Sequence, residues 1–144
     1  MKAMRILGVV ILVVMLTGSV LATACTGEKD HGINITVGDG PTGIVFDGAN
    51  IWVTNTGDNT VTKLRASDGS VVGTYMVGLS PNGIAYDGTN IWVTIEGFST
   101  VIVLRASDGS LVAQYFVGSG PEGIAFDGAN MWVANSGSGN LTKL

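Results

Sequence analysis

Cysteine and histidine are almost absent from this sequence: there is one of each, Cys25 and His31. A single cysteine excludes an intramolecular disulfide framework. A single histidine leaves no pair for a metal site, and it lies outside the repeated part of the chain, so the scattered serines have no base beside them. Charge is scarce too, at 12% of residues. That is too little for charge-driven disorder. Basic residues are few: beyond residue 24 there are five, Lys29, Lys63, Arg65, Arg105 and Lys143, against eleven acids. An acidic surface repels phosphate backbones, which argues against nucleic acid as a partner. Helical periodicity is missing after residue 24. What is abundant is Gly, with 22 residues, set among β-branched residues. That mixture predicts short strands and tight turns.

Residues 1–24 read as a signal peptide. Lys2 and Arg5 form a positive start, "ILGVVILVVML" an apolar stretch too short for a membrane span, and "ATA" a small-residue cleavage site. An uncleaved anchor is the other reading. "LATAC" resembles a bacterial lipobox, with Ala22 where Leu is usual. Lipidation at Cys25 and an envelope location are therefore expected, with free secretion as the alternative and the membrane reached only through the lipid. Residues 25–32 would be a polar tether.

The rest is periodic. Pro41, Pro81 and Pro121 are forty residues apart, and so are Trp52, Trp92 and Trp132. Each unit reads as four strands, as in "GIVFD", "IWVT", "TVTKLRA" and "SVVGTYMV", labelled A to D. Asp-Gly pairs mark the hairpin turns. Four antiparallel strands per unit predict an all-β protein of β-propeller blades, three per chain, with a β-solenoid as runner-up.

"IWVTN", "IWVTI", "MWVAN", "NTVTKLRASDGSVVGTYMVG" and the P-x-G-I-A-x-D-G pattern resemble YVTN-type propeller repeats. These are similar to NHL repeats and to those of the streptogramin B lyase family. The resemblance covers residues 33–144. The lyases use a histidine and a glutamate on the propeller face with Mg²⁺, and no repeat here carries a histidine. Propellers host many activities, so the resemblance bears on fold more than on function.

The repeats are out of phase with the chain. Residues 33–37 align with strand D of the later repeats, the full repeats run 41–80 and 81–120, and residues 121–144 supply strands A to C. One, four, four and three strands make twelve, three blades' worth. Rings run from about four to eight blades, so the ring is incomplete unless the chain oligomerises. A homodimer completing a six-bladed ring, a truncated gene fragment without independent function and an isolated three-blade monomer are the readings open here.

Two turns barely vary, "DGAN" between A and B and "RASDGS" between C and D, and they should share one rim. The D–A and B–C loops on the other rim differ between repeats. That rim is the expected binding face, for a protein, a glycan or a small ligand. Its candidate residues are Thr42, Asn55, Asp58, Asn82, Glu96, Phe98, Glu122 and Asn135. Drift on exposed loops is the competing explanation. Glu96 and Glu122 with the amide oxygens of Asn55, Asn82 and Asn135 would suit Ca²⁺ or Mg²⁺, but no compact calcium loop is present, and no cofactor is expected. Arg65 and Arg105 should pair with Asp68 and Asp108. The tryptophans read as inter-blade packing. The residues favour a non-catalytic binding module; the alternative is a divalent-metal-dependent lyase or lactonase.

Overall fold

Asp47, Asp87 and Asp127 each open a hairpin in the computed structural model, which describes residues 32–144. The carboxylate of Asp47 accepts the backbone N–H of Ala49 at 2.9 Å and of Asn50 at 2.7 Å. Gly48, Gly88 and Gly128 follow with φ of 99°, 99° and 98°. That left-handed backbone is open to Gly at little cost, which explains why the turn is invariant. The expected signal peptide, Cys25, most of the tether and His31 lie outside the described residues.

The first sheet contains β1 (Pro41–Phe46), β2 (Asn50–Asn55), β3 (Thr60–Arg65) and β4 (Val71–Met76). The second contains β5 (Pro81–Tyr86), β6 (Asn90–Ile95), β7 (Thr100–Arg105) and β8 (Leu111–Phe116). The third contains β9 (Pro121–Phe126), β10 (Met131–Asn135) and β11 (Asn140–Lys143). Each sheet is an antiparallel meander with its strands in chain order. The fold is all-β, in blade-like sheets of three or four strands with no closed barrel among the described residues.

Neighbouring blades are joined by backbone as well as side chains. The β1–β2 register shifts between Pro41 and Ile44. At this bulge the Gly43 N–H donates to Thr54 Oγ1 at 2.7 Å, and the same hydroxyl donates to Asn82 O of the next blade, also at 2.7 Å. One hydroxyl thus closes the bulge and ties two blades. Thr94 repeats this, accepting from Gly83 N at 2.7 Å and donating to Glu122 O at 3.0 Å. Ala134 holds the position in the third blade and has no hydroxyl to offer.

The core lies on and between the blades. Trp52, Val61, Ile91, Val93 and Ile95 are fully buried, and Leu104 nearly so. Trp52 stacks on Tyr75 of its own blade at 5.6 Å, and Trp92 on Tyr115 at 5.7 Å. Burial falls at the ends of the array: Ile84 is 9% exposed, while Ile44, its counterpart in the first blade, is 69% exposed. Lys63 is almost wholly buried, yet its Nζ donates to Ala106 O at 2.7 Å and Ser107 O at 3.3 Å across the blade boundary. It also lies 4.9 Å over the Trp52 ring. These contacts compensate the burial of an ammonium group.

The expected strand at 33–37 carries no strand pairing. It is nevertheless seated on the first blade, with the Ile35 side chain against Gly69, as Tyr75 of the first blade lies against Gly109 of the second.

Candidate functional site

Backbone hydrogen bonds define two rims. On one, the A–B and C–D turns meet through Ala66 N to Ala49 O at 3.1 Å and Ala106 N to Thr89 O at 3.2 Å. Arg65 and Arg105 lie here, each bridged to Asp68 or Asp108 at 3.2 and 3.4 Å. On the other, the B–C and D–A loops meet through Thr56 N to Gly40 O, Glu96 N to Ser80 O and Ser136 N to Gly120 O, at 2.9, 3.1 and 2.8 Å. This hydrogen bond of the second rim recurs in all three blades, while the side chains around it change.

Those side chains form matched positions. Thr42 and Thr56 share a hydroxyl contact of 2.6 Å. The equivalent positions in the second blade are Asn82 and Glu96. In the third blade, Ser136 Oγ donates to Glu122 Oε1 at 2.8 Å. Thr56 and Ser136 are rim residues that sequence reasoning did not single out. Their signal was available, since both occupy the Glu96 position of their repeats. Asp58 is exposed, with Oδ2 accepting the Asp39 N–H at 2.7 Å.

Two candidates turn inward. Asn55 is fully buried; Nδ2 donates to Thr60 and Thr62 hydroxyls at 3.0 and 2.9 Å, and Oδ1 accepts from Gly38 N at 3.2 Å. Asn135 is buried too, with Nδ2 donating to Asn140 Oδ1 at 2.8 Å and Thr142 Oγ1 at 2.9 Å, but its Oδ1 has no hydrogen-bond partner. These amides brace the B–C loop from within.

The second blade departs from this pattern. Ile95 replaces the bracing asparagine, so the buried Thr100 Oγ1 is left without a hydrogen bond. The loop instead forms a 3₁₀ turn over Glu96–Phe98. Glu96 is exposed, and Phe98 is 53% exposed. Beside Phe98 runs an open groove of about 480 Å³, lined also by Tyr75, Met76, Thr100, Ile102 and Leu111. Thr74 and Gln114 line it too, so the groove is mixed in polarity, and the unpaired Thr100 hydroxyl is buried.

The acids whose pKa is shifted lie away from this groove. Burial pushes the Asp47 and Asp87 carboxyls up, but hydrogen bonds from the Trp52 and Trp92 indoles and from turn N–H groups outweigh it, so both lie below the usual carboxylate range. Asp127 is lowered furthest, first by the Trp132 indole. Among the described residues no three His, Cys, Asp or Glu side chains are grouped to hold a metal ion. The described residues include no histidine, so they do not supply the histidine–glutamate pair that the lyase resemblance implies for Mg²⁺.

No family model matches the sequence, and no curated protein does. Solved structures do resemble the fold. Hydrazine synthase from Kuenenia stuttgartiensis is 27% identical with a TM-score of 0.64, over 77% of this chain and 33% of that one. Apo AztD from Citrobacter koseri is 20% identical with a TM-score of 0.56, over 62% of this chain and 27% of its own. A functionally unknown protein from Desulfotomaculum acetoxidans is 18% identical with a TM-score of 0.60, over 75% of this chain and 42% of that one. Hydrazine synthase and AztD are β-propeller-type folds, and this chain is β-propeller-like. It spans between about a quarter and two fifths of these chains' lengths.

Proposed function

We propose that this chain is an exported, lipid-anchored, non-catalytic binding module built from YVTN/NHL-type propeller repeats. The observation that carries the reading is the second blade's loop. Where buried asparagines brace the loops of the other two blades, this loop forms a 3₁₀ turn and exposes Phe98 beside a groove lined by both apolar and polar side chains. An aromatic side chain exposed next to a groove that also carries polar side chains, Thr74 and Gln114, is the composition of a recognition site. A ligand suited to it has an apolar portion and a polar group, as a peptide or an oligosaccharide does.

The test is a thermal-shift and titration screen of the full chain against short peptides and oligosaccharides. A hit should weaken about tenfold with Phe98→Ala, in line with roughly 1.4 kcal/mol for a contact residue. Arg65→Ala, on the opposite rim, should leave affinity unchanged. Hits insensitive to Phe98 would remove the site. A Mg²⁺- or Ca²⁺-dependent rise in melting temperature, abolished by Glu96→Ala or Glu122→Ala, would favour the metal-dependent lyase or lactonase reading instead.

A further inference from the structure

The groove beside Phe98 is the outer margin of the boundary between the first and second blades. Within that boundary Tyr75 and Val77 pack against a buried cluster that includes Ile102 and Leu104. The same four residues line the groove, so it continues the blade–blade packing outward. A twin groove lies one repeat earlier, lined by Thr36, Asp58, Thr60 and Thr62 among others. The corresponding positions here are Met76, Phe98, Thr100 and Ile102. A carboxylate and two hydroxyls of the twin are thus apolar side chains in this groove, and none of its lining residues is charged.

One wall of the groove is main chain. Among the described residues, β4 pairs with β3 alone, and its other edge is open. Val77 N donates to Asn59 O at 3.1 Å, and Thr60 faces Met76, Val61 faces Tyr75 and Thr62 faces Thr74. Bonded and non-bonded pairs alternate along antiparallel strands. Gly73 and Tyr75 therefore bond β3 through their backbone groups, while Thr74 and Met76 turn theirs outward. Side chains alternate too, and Tyr75 lies toward the second blade, against Gly109. Across the groove, the β7–β8 register puts Gln114 on the face of Ile102 and Phe116 on that of Thr100. Leu111 and Phe116 are 64% and 84% exposed. So β4 covers β7, and among the described residues no strand covers this face of β8.

We infer that this groove takes an extended, uncharged peptide segment of a partner protein, which adds to β4 as a fifth, antiparallel strand. The inference rests on the groove being the recognition site and specifies its ligand. The outward N–H and C=O groups of Thr74 and Met76 bond the peptide residues opposite them. Residues opposite Gly73, Tyr75 and Val77 point toward the second blade, because paired residues share a face. They meet the side of β8 that carries Leu111, Gln114 and Phe116, so these alternate residues are apolar. The new strand then packs on β8 as β4 packs on β7. A sugar matches the polar and apolar lining but has no row of N–H and C=O groups at strand spacing, which another backbone has. The twin groove is the poorer host: it carries Asp58, and its wall at 36–38 has no strand pairing.

The experiment titrates the full chain, in mild detergent, with a capped heptapeptide in which threonine alternates with leucine, beginning and ending on threonine. Saturable binding below about 1 mM is expected, and its absence overturns the proposal. Methylating the threonine amides, which face β4, should weaken binding about tenfold or more, while methylating the leucine amides should not. Equal effects overturn the strand pairing. Met76→Pro removes an outward N–H that β3 does not use, a place where an edge strand accepts proline. It should bind about tenfold more weakly than Met76→Ala, with the same circular dichroism, and equal affinities overturn the pairing. If Met76→Pro does not fold, the methylated peptides decide. Slow exchange of the Thr74 and Met76 amides in the free chain would show the edge already covered, and also overturns the proposal. Binding that falls with Phe98→Ala but with neither main-chain change keeps the recognition site and removes the strand, as do oligosaccharide hits that need Phe98. Binding indifferent to all of them removes both.

Discussion

The α-carbon of Gly83 abuts the carbonyl oxygen of Glu122 on the adjacent blade, and Gly43 stands in the same relation to Asn82. Blade spacing along strand A is therefore set by main chain against main chain. A β-carbon at Gly83 would force the blades apart or bend β5. Gly83→Ala should destabilise the fold by about 1–3 kcal/mol, the usual cost of overpacking a well-filled contact. Urea denaturation followed by circular dichroism measures it, and an unchanged midpoint would contradict the contact.

The hydroxyl beside that contact gives a second expectation. Thr94 is fully buried, and its Oγ1 serves both Gly83 N and Glu122 O. Thr94→Val keeps the shape and removes both bonds, leaving an N–H and a C=O without partners. A loss of about 1–3 kcal/mol is expected. Thr94→Ser restores the hydroxyl and should recover most of it. Equal losses in the two variants would assign the effect to packing alone.

The legible part of the fold was its period. Forty-residue spacing of proline and tryptophan marked out twelve strands, of which eleven are present and the one at 33–37 is not. The two rims could also be read, since invariant and variable loops alternate along the chain. What could not be read was the direction of polar side chains inside the B–C loop. Asn55 is exposed by composition and buried in fact, because its amide fits between Thr60, Thr62 and Gly38. Likewise the aspartate of each A–B turn, Asp47, Asp87 or Asp127, looked like turn chemistry alone. Its second oxygen accepts the tryptophan five residues on, a pairing that needs the hairpin's three-dimensional path.

That aspartate sets the response to acid. Trp92 Nε1 donates to Asp87 Oδ2 at 2.6 Å, and Trp52 Nε1 to Asp47 Oδ2 at 2.7 Å. Both carboxyls lie below the ordinary value of 3.8 in the folded chain. A lowered folded pKa contributes stability that is complete above the unfolded value and fades as pH falls through the folded one. Melting temperature should therefore decline from about pH 5 downward. Asp87→Asn should start lower and fall less steeply. Parallel wild-type and variant curves would show that Asp87 is not among the groups responsible.

Cys25 lies outside the described residues, and its expected lipidation gives the fourth expectation. Acyl chains would hold the protein to a bilayer, each buried CH₂ adding roughly 0.8 kcal/mol of affinity. Incorporation of a labelled fatty acid into the wild-type protein, and none into Cys25→Ser, is the predicted result. Equal labelling, or a soluble secreted product, would remove the anchor from the proposal.

Lys63 has one further consequence, which concerns time rather than shape. It bridges the first and second blades, but the same place in the second blade is Val103, which has no donor to offer. In a repeat array, stability is a sum of unit and neighbour terms, so a missing neighbour term weakens one seam alone. Thermal motion will part the second and third blades before the first and second. Amide protons of β9 and β10 should then exchange with deuterium sooner than those of β2 and β3. A single lysine so gives a nearly periodic molecule a preferred place to come undone.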